Sequence, residues 1–227
     1  MKIKNMRKRF GFTLAEVLIT VGVIGVVAAI TIPTLMQNYQ DNANKVAYRK
    51  SFSVLSQATK MIAYENGGTL QGVFNSNDEA RDKYGEQIKH IKTCNANDAL
   101  GQGLNGCWHE DAKFYGLNKL SNSPAFMGVI NRSKGILNDG VLVLYGGGPS
   151  CNGSVGGGPA TICGDITVDI NGFKSPNTIG KDIYLIWILI DGTLKPRGAI
   201  GYGESSSDGQ CNASHYGYNC SSDYLYN

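Results

Sequence analysis

The sequence predicts an α+β protein in which a long N-terminal helix packs on a small antiparallel β-sheet and disulfides close the loops. Three observations support this class. An uncharged apolar stretch near the N-terminus continues into a helical repeat of apolar residues. Strand-like segments and Asp-Gly turns follow in the second half, and six cysteines lie between Cys94 and Cys220. With 42% hydrophobic and 17% charged residues, the 227-residue chain has enough apolar side chains to fold around a core.

The chain begins with a short basic leader, residues 1–11. It contains no acid and five cations, which are Lys2, Lys4, Arg7, Lys8 and Arg9. The leader thus holds five of the 21 basic residues, and the rest of the chain has 16 against 18 acidic ones. Because this body is weakly acidic, the net charge of +3 gives no reason to expect a nucleic-acid partner.

An apolar segment long enough to cross a membrane follows the leader. Residues 17–40 contain no Lys, Arg, His, Asp or Glu, and about 20 apolar helical residues span the ~30 Å hydrocarbon core of a bilayer. Cations that precede such a helix stay in the cytoplasm. We therefore expect a single pass of the inner membrane, with the N-terminus cytoplasmic and the C-terminal domain in the oxidising periplasm or outside the cell. Two simpler interpretations are an ordinary membrane anchor and a cleaved secretory signal with Val26-Val27-Ala28 as its cleavage site.

The residues around the end of the leader carry a family resemblance. From Lys8 to Ile19 the sequence is Lys-Arg-Phe-Gly-Phe-Thr-Leu-Ala-Glu-Val-Leu-Ile, which resembles the class III leader of type IV prepilins and type II secretion pseudoprepilins. The resemblance implies a pilin-like fold, cleavage after Gly11 by a prepilin peptidase and methylation of the new amine of Phe12. It also implies assembly with other pilin subunits by inner-membrane machinery. It leaves a type IV pilus, a type II secretion pseudopilus and a competence system open.

Glu16 lies at the edge of the apolar segment, where an unpaired carboxylate costs several kcal/mol. Cleavage after Gly11 would create a cation at Phe12, about one helical turn from Glu16. We expect Glu16 to pair with the Phe12 amine of a neighbouring subunit and so to set the axial register of the packed helices. The simpler alternative is that Glu16 only extends to the membrane interface.

Small residues and one proline interrupt the apolar segment. Gly22 and Gly25 are expected to let neighbouring helices approach closely, and Gly25 and Ala29 have the small-xxx-small spacing. Pro33 removes one helical hydrogen bond, which predicts a kink or local melting. We therefore divide the chain into a cleaved leader, a transmembrane and filament-core helix, and an exported pilin-like domain, over residues 1–11, 12–36 and 37–227.

The helical pattern continues into the exported domain. Apolar or small residues recur on one helix face, at Tyr48, Phe52, Leu55, Thr59 and Ile62. Gly67-Gly68 predicts the end of this helix near residue 66. A capping-box pattern at Ser76-Asn77-Asp78-Glu79 predicts a second helix that runs toward Lys92.

Strand signals are concentrated in residues 136–200. We expect three or four antiparallel strands there, at Val141 to Tyr145, Ile166 to Ile170, Ile183 to Ile190, and from Thr193 onward. The last two flank Asp191-Gly192, which is a strong hairpin signal. Together with the long helix, these strands define the α+β class.

Six cysteines allow 15 pairings. Sequence neighbours lie 13, 12 and 9 residues apart, which favours Cys94–Cys107, Cys151–Cys163 and Cys211–Cys220. A metal site built on sulfur is disfavoured because no Cys-x-x-Cys occurs and the three histidines are scattered.

The segment from Asp169 to Asp182 resembles a Pro-Asn-x-x-Gly-x-Asp segment of other pilin-like proteins. Asp169, Asn171 and Asp182 offer hard oxygen ligands, and alternating Asp and Asn before a Gly is typical of the start of a calcium loop. The alternative is a plain turn that uses Asn-Gly and Pro-Asn chemistry. Calcium is therefore the only cofactor that the sequence suggests.

Five tyrosines and no Lys or Arg follow residue 200. Tyr216, Tyr218, Tyr224 and Tyr226 are candidates for recognition of a protein or a sugar, or they cover the edge of the sheet. On the first interpretation, the chain is alternatively a membrane-anchored binding or adhesion module. An enzyme is not expected, because no P-loop, G-x-S-x-G or H-E-x-x-H motif occurs.

Overall fold

The computed structural model describes residues 11–98, 106–110, 114–122, 131–153, 161–202 and 210–226. The chain divides into two compact units, Met1–Asn42 and Ala43–Asn227. Helix α1, Leu14–Glu65, begins in the first unit and ends in the second. The other helices are α2, Asn77–Gln87, and α3, Cys220–Tyr226.

Six strands form one antiparallel sheet in the order β1-β4-β5-β6-β7-β8. They are β1 His90–Cys94, β4 Ser133–Leu137, β5 Leu142–Gly147, β6 Ile162–Asp169, β7 Ile183–Leu189 and β8 Leu194–Pro196. Two short strands, β2 Phe114–Tyr115 and β3 Ser121–Asn122, pair separately. The α+β class and the pilin-like layout are thus confirmed.

The second part of α1 and helix α2 cover one face of the sheet. Tyr48, Leu55 and Ile62 are fully buried, and Tyr48 stacks on Tyr184 of β7 with ring centroids 4.0 Å apart. The predicted apolar face is therefore the packed face, although Phe52 is only half-buried. Each fully buried side chain of this size contributes roughly 1.5–3 kcal/mol of transfer free energy.

A second cluster packs on the opposite face of the sheet. Side chains alternate along a strand, so Leu142 and Leu144 face away from Val143 and Tyr145. Trp108, Phe114, Ile179 and Tyr218 cover the face that carries Leu142 and Leu144. Because both faces are covered, β5 and β7 are almost continuously apolar.

Glycines end α1 as predicted. Gly67 and Gly68 have φ of 74° and 88°, and the Gly68 N–H donates to the Ala63 carbonyl at 2.8 Å. The helix runs through Pro33 without interruption, so the local melting expected there is absent. A proline removes a single bond of the helical ladder, and the bonds on either side keep the segment helical.

Two expectations about secondary structure are corrected. Helix α2 begins after the predicted N-cap, where the Glu79 N–H donates to Ser76 Oγ at 3.1 Å, but it ends at Gln87 instead of reaching Lys92. Residues 90–94 form the edge strand β1 because they pair with β4. The sheet accordingly has six strands instead of three or four. Strand β4 has the sequence Ser-Lys-Gly-Ile-Leu, which lacks a strand's usual alternation.

Three disulfides join the sequence neighbours that the spacing favours. They are Cys94–Cys107, Cys151–Cys163 and Cys211–Cys220. Each closes a loop of 9 to 13 residues, and such closure removes conformational freedom from the unfolded chain. The third disulfide connects the start of α3 to the segment that precedes it.

Candidate functional site

The first candidate site is the start of α1, where Thr13 and Glu16 form a capping box. The Thr13 N–H and the Thr13 hydroxyl both donate to Glu16 Oε2 at 2.8 Å, and the Glu16 N–H donates to Thr13 Oγ1 at 3.2 Å. These bonds satisfy backbone donors that a helix N-terminus otherwise leaves free. The family-like Phe-Thr-Leu-x-Glu pattern therefore has a local role in starting the helix.

The two donors of Thr13 both bind the Oε2 atom of Glu16. The other carboxylate oxygen, Oε1, accepts no hydrogen bond from the described residues. The Phe12 side chain just before the box is 88% exposed. An external donor can therefore bind Oε1 while the capping box stays closed. Gly11, the residue before the predicted cleavage point, also lies in exposed chain outside the helix.

The first unit carries an apolar surface that none of its described residues buries. Apolar side chains from Leu14 to Met36 are exposed, and α1 is the one helix among the described residues that is long and apolar enough to cross a membrane. A Cβ added at Gly22 or Gly25 would meet nothing within 4 Å. No contact with the described residues therefore requires Gly at these two positions, where Gly costs about 1 kcal/mol of helix stability relative to Ala. A surface of this kind requires hydrocarbon or other helices around it.

The second candidate site is a polar cluster between strands β6 and β7, made of His109, Asp169, Asn171, Asn177 and Asp182. Asp169 ends β6 and Asp182 precedes β7. The short strand β2 holds the connecting segment in place, because the Tyr115 N–H donates to the Asn177 carbonyl at 2.9 Å and the Ile179 N–H donates to the Tyr115 carbonyl at 2.9 Å. We call these five residues the loop cluster.

Asp182 organises the loop cluster. Its Oδ2 accepts from Asn171 Nδ2 and from the Asn177 N–H, each at 2.9 Å, and its Oδ1 accepts from the Thr178 N–H at 2.5 Å. Burial raises the pKa of Asp182, and these hydrogen bonds act against that shift. The Asp182 side chain is fully buried. Its three hydrogen bonds hold Asn171, Asn177 and Thr178 around the carboxylate.

Asp169 faces a histidine from a distant segment. His109 Nε2 lies 2.8 Å from Asp169 Oδ2, and both residues are buried. The pKa of Asp169 is raised to about 7, chiefly because the carboxyl is buried. The hydrogen bond from His109 acts against this rise, and the nearby Asp182 adds to it. In the sequence, His109 is one of three scattered histidines, and Asn177 is not among the predicted oxygen ligands. Only the fold brings His109 to Asp169, and Asn177 to His109 and Asp182.

Of the two interpretations of the C-terminal tyrosines, the burial of these side chains favours cover of the sheet. Tyr218 is buried beneath the guanidinium of Arg197, and Tyr216 and Tyr224 are half-buried. Tyr224 contacts Tyr184 of the sheet, with ring centroids 6.0 Å apart. Of the four candidates, Tyr226 alone is exposed, at 64%. The rings mostly cover the sheet, because a short C-terminal segment lowers its free energy by burying them on the nearest apolar face.

An apolar N-terminal helix joined to an α+β domain with disulfides is the layout of pilin-like proteins. Residues 6–32 match the prokaryotic N-terminal methylation motif, the prepilin-type signature of type IV pilins and pseudopilins. The motif supports a pilin-like or pseudopilin precursor, and it indicates a structural subunit rather than an enzyme. No curated protein and no solved structure matches the chain. The five cations of the leader lie outside the described residues.

Proposed function

We propose that the protein is a minor subunit of a type IV pilus or a type II secretion pseudopilus. A prepilin peptidase cleaves after Gly11, the amine of Phe12 is methylated, and inner-membrane machinery assembles the chain with other pilin subunits through α1. The observation that carries this proposal concerns Glu16, in the first turn of α1. Its Oε1 atom has no donor among the described residues, and the apolar helix surface that follows it is exposed.

The proposed contact joins Glu16 to the Phe12 amine of a neighbouring subunit. Each group alone is costly at the edge of a hydrocarbon phase, and pairing them offsets much of that cost. Because every subunit presents one acceptor and one amine about a helical turn apart, the pair repeats along a filament and defines the step between neighbours. Gly22 and Gly25 supply the close approach between the helices.

Two features of the exported domain support the location and the minor role. The three disulfides fit a domain outside the cytoplasm, as the positive-inside rule predicts from the leader. The domain of residues 37–227 is also larger than that of a typical major pseudopilin. The burial of Tyr218 favours the filament subunit over the alternative of an anchored binding module, which relied on exposed tyrosines.

Processing and assembly are tested on the full chain in cells that contain a pilus or secretion machine. We expect the N-terminal sequence of the mature protein to begin at a methylated Phe12, and Gly11→Leu to block cleavage. A photo-crosslinker at Leu14 or Val17 is expected to join the mature chain to subunits that carry the same motif. An uncut chain that stays monomeric in the membrane would contradict the proposal.

A further inference from the structure

The tip of the short hairpin between β2 and β3 exposes apolar and basic side chains. Leu120 at the tip is 57% exposed, and Tyr115 in β2 is 40% exposed. Lys119 has a φ of 63°, in the left-handed region that Gly or Asn adopts at lower cost than lysine does. Backbone conformations of this kind are concentrated at binding sites, where the fold maintains them for a function. The hairpin tip is therefore a candidate for contact with a molecule outside the chain.

A pocket of about 380 Å³ lies beside the hairpin tip. Lys119 and Lys181 line it together with Tyr115, Leu117 and Pro176. None of the described residues that line the pocket is acidic, and neither lysine amine donates a hydrogen bond to a described residue. Two ammonium groups that line one pocket without such a partner favour an anionic ligand.

Hydrogen bonds from other segments fix the walls of this pocket. The Asn118 N–H at the hairpin tip donates to the His215 carbonyl at 3.0 Å. His215 lies in the loop that the Cys211–Cys220 disulfide closes. On the other wall, the Lys181 carbonyl accepts from the Tyr184 hydroxyl at 2.6 Å. Because the backbone of both walls is held in place, binding of a ligand costs little conformational entropy of the chain.

The pocket is also tied to the part of α1 that follows the apolar segment. Asn44 Nδ2 donates to the Lys181 carbonyl at 3.2 Å. Asn44 comes only eight residues after Met36, the end of the predicted transmembrane segment, and a chain of that length spans at most about 28 Å. The polar headgroup layer extends about 5–7 Å beyond the hydrocarbon core. The connecting chain is therefore short enough for the Lys181 backbone to approach the headgroups of the membrane that the segment crosses.

We propose that this pocket binds the phosphate of an anionic phospholipid, with Lys119 and Lys181 as its cationic contacts and Leu120 placed among the headgroups. A phospholipid matches both parts of the site. Its phosphate suits the two amines, and its glycerol and upper acyl chains suit Leu117 and Leu120. A dissolved anion would account for the lysines but would leave Leu120 in water. The proposal rests on the membrane location of the proposed subunit, but it does not require a filament.

The test places a fluorescent amino acid at position 120 of the full-length chain in lipid nanodiscs whose headgroup layer carries a nitroxide quencher. The discs contain phosphatidylcholine alone or phosphatidylcholine mixed with phosphatidylglycerol. We expect quenching to be several-fold stronger with phosphatidylglycerol, because each lysine near an anionic surface increases association about fivefold. Lys119→Asn combined with Lys181→Gln should reduce quenching to the level in phosphatidylcholine, and Asn suits the positive φ of residue 119. Lys89→Gln combined with Lys195→Gln removes the same charge outside the pocket and should leave quenching unchanged.

Three results would overturn the proposal. The first is equal quenching in the two kinds of disc, which would show that no anionic headgroup is bound. The second is undiminished quenching in the variant that lacks both pocket lysines, and if that variant does not fold, Lys181→Gln alone takes its place. The third is loss of quenching when inorganic phosphate replaces chloride at equal ionic strength, which would assign the pocket to free phosphate. None of these results bears on cleavage after Gly11 or on filament assembly, because neither occurs in the discs.

Discussion

The capping box at the start of α1 allows the charge of Glu16 to be separated from its role in helix formation. Glu16→Gln keeps a side-chain oxygen that can accept from Thr13, since Gln serves in a capping box as Glu does, but it removes the negative charge. Thr13→Val makes the complementary change. It removes the capping hydroxyl and keeps the carboxylate of Glu16.

The two variants should differ strongly in assembly. Loss of the cap in Thr13→Val costs about 1 kcal/mol of helix stability, which the long apolar helix tolerates. In Glu16→Gln, the Phe12 amine of the neighbour loses its counter-charge, and breaking a buried ion pair costs about 3–5 kcal/mol. That cost corresponds to roughly a 10²–10⁴-fold weaker association of subunits. Filament incorporation should therefore be nearly lost in Glu16→Gln and largely kept in Thr13→Val.

The assay compares the amount of each variant in sheared filaments with the amount in the membrane, by immunoblot. N-terminal sequencing controls for cleavage after Gly11, because a variant that is not processed cannot report on assembly. Incorporation of Glu16→Gln at the wild-type level would refute the proposed charge pair. If Thr13→Val were lost from filaments as fully as Glu16→Gln, the cap and not the charge would be the assembly determinant.

Two further predictions concern the exported domain. Burial lowers the pKa of the His90 ring below its ordinary value of 6.5, and the ring lies 2.8 Å from the Tyr145 hydroxyl. As the pH falls, the unfolded chain therefore binds a proton at His90 at a higher pH than the folded chain does. The free energy of unfolding decreases as a result when the pH falls below 6.5. The melting temperature should therefore fall more steeply between about pH 7 and pH 5 in the wild type than in His90→Gln, and parallel curves would contradict this. Leu55→Ala at a fully buried position should cost about 2–5 kcal/mol in chemical denaturation, whereas Val54→Ala, at a site 36% exposed, should cost clearly less. Equal losses would show that the packed face of α1 is assigned wrongly.

The sequence predicted local features well where one physical rule dominates. Helix α1 and its end at Gly67-Gly68 follow from apolar periodicity and from the preference of Gly for positive φ. The cap at Ser76 follows from a short motif. The disulfides agree with the nearest-neighbour pairing because short loops keep the two thiols close before the rest of the chain folds.

The sequence was a poorer guide where partners from distant segments decide the structure. Residues 90–94 form a strand because Cys94 and its neighbours pair with β4, about 40 positions later in the chain, and no local pattern reports that pairing. Strand β4 contains a buried Lys134 whose amine donates to the Arg132 carbonyl at 3.0 Å. A lysine in that position argues against a buried strand until its partner is known.

The sequence by itself determined the membrane-crossing helix, the processing motif and the capping box at Glu16. Each of these features depends only on residues that are close together in the chain. The tertiary structure alone decided that Tyr218 is buried, that His109 meets Asp169, and that Asn177 meets His109 and Asp182. These outcomes depend on which distant surfaces come together, and the burial that follows raises the pKa of Asp169 to about 7. A linear pattern of Asp and Asn shows where oxygen ligands are available, but only the folded chain shows which of those oxygens remain without a partner.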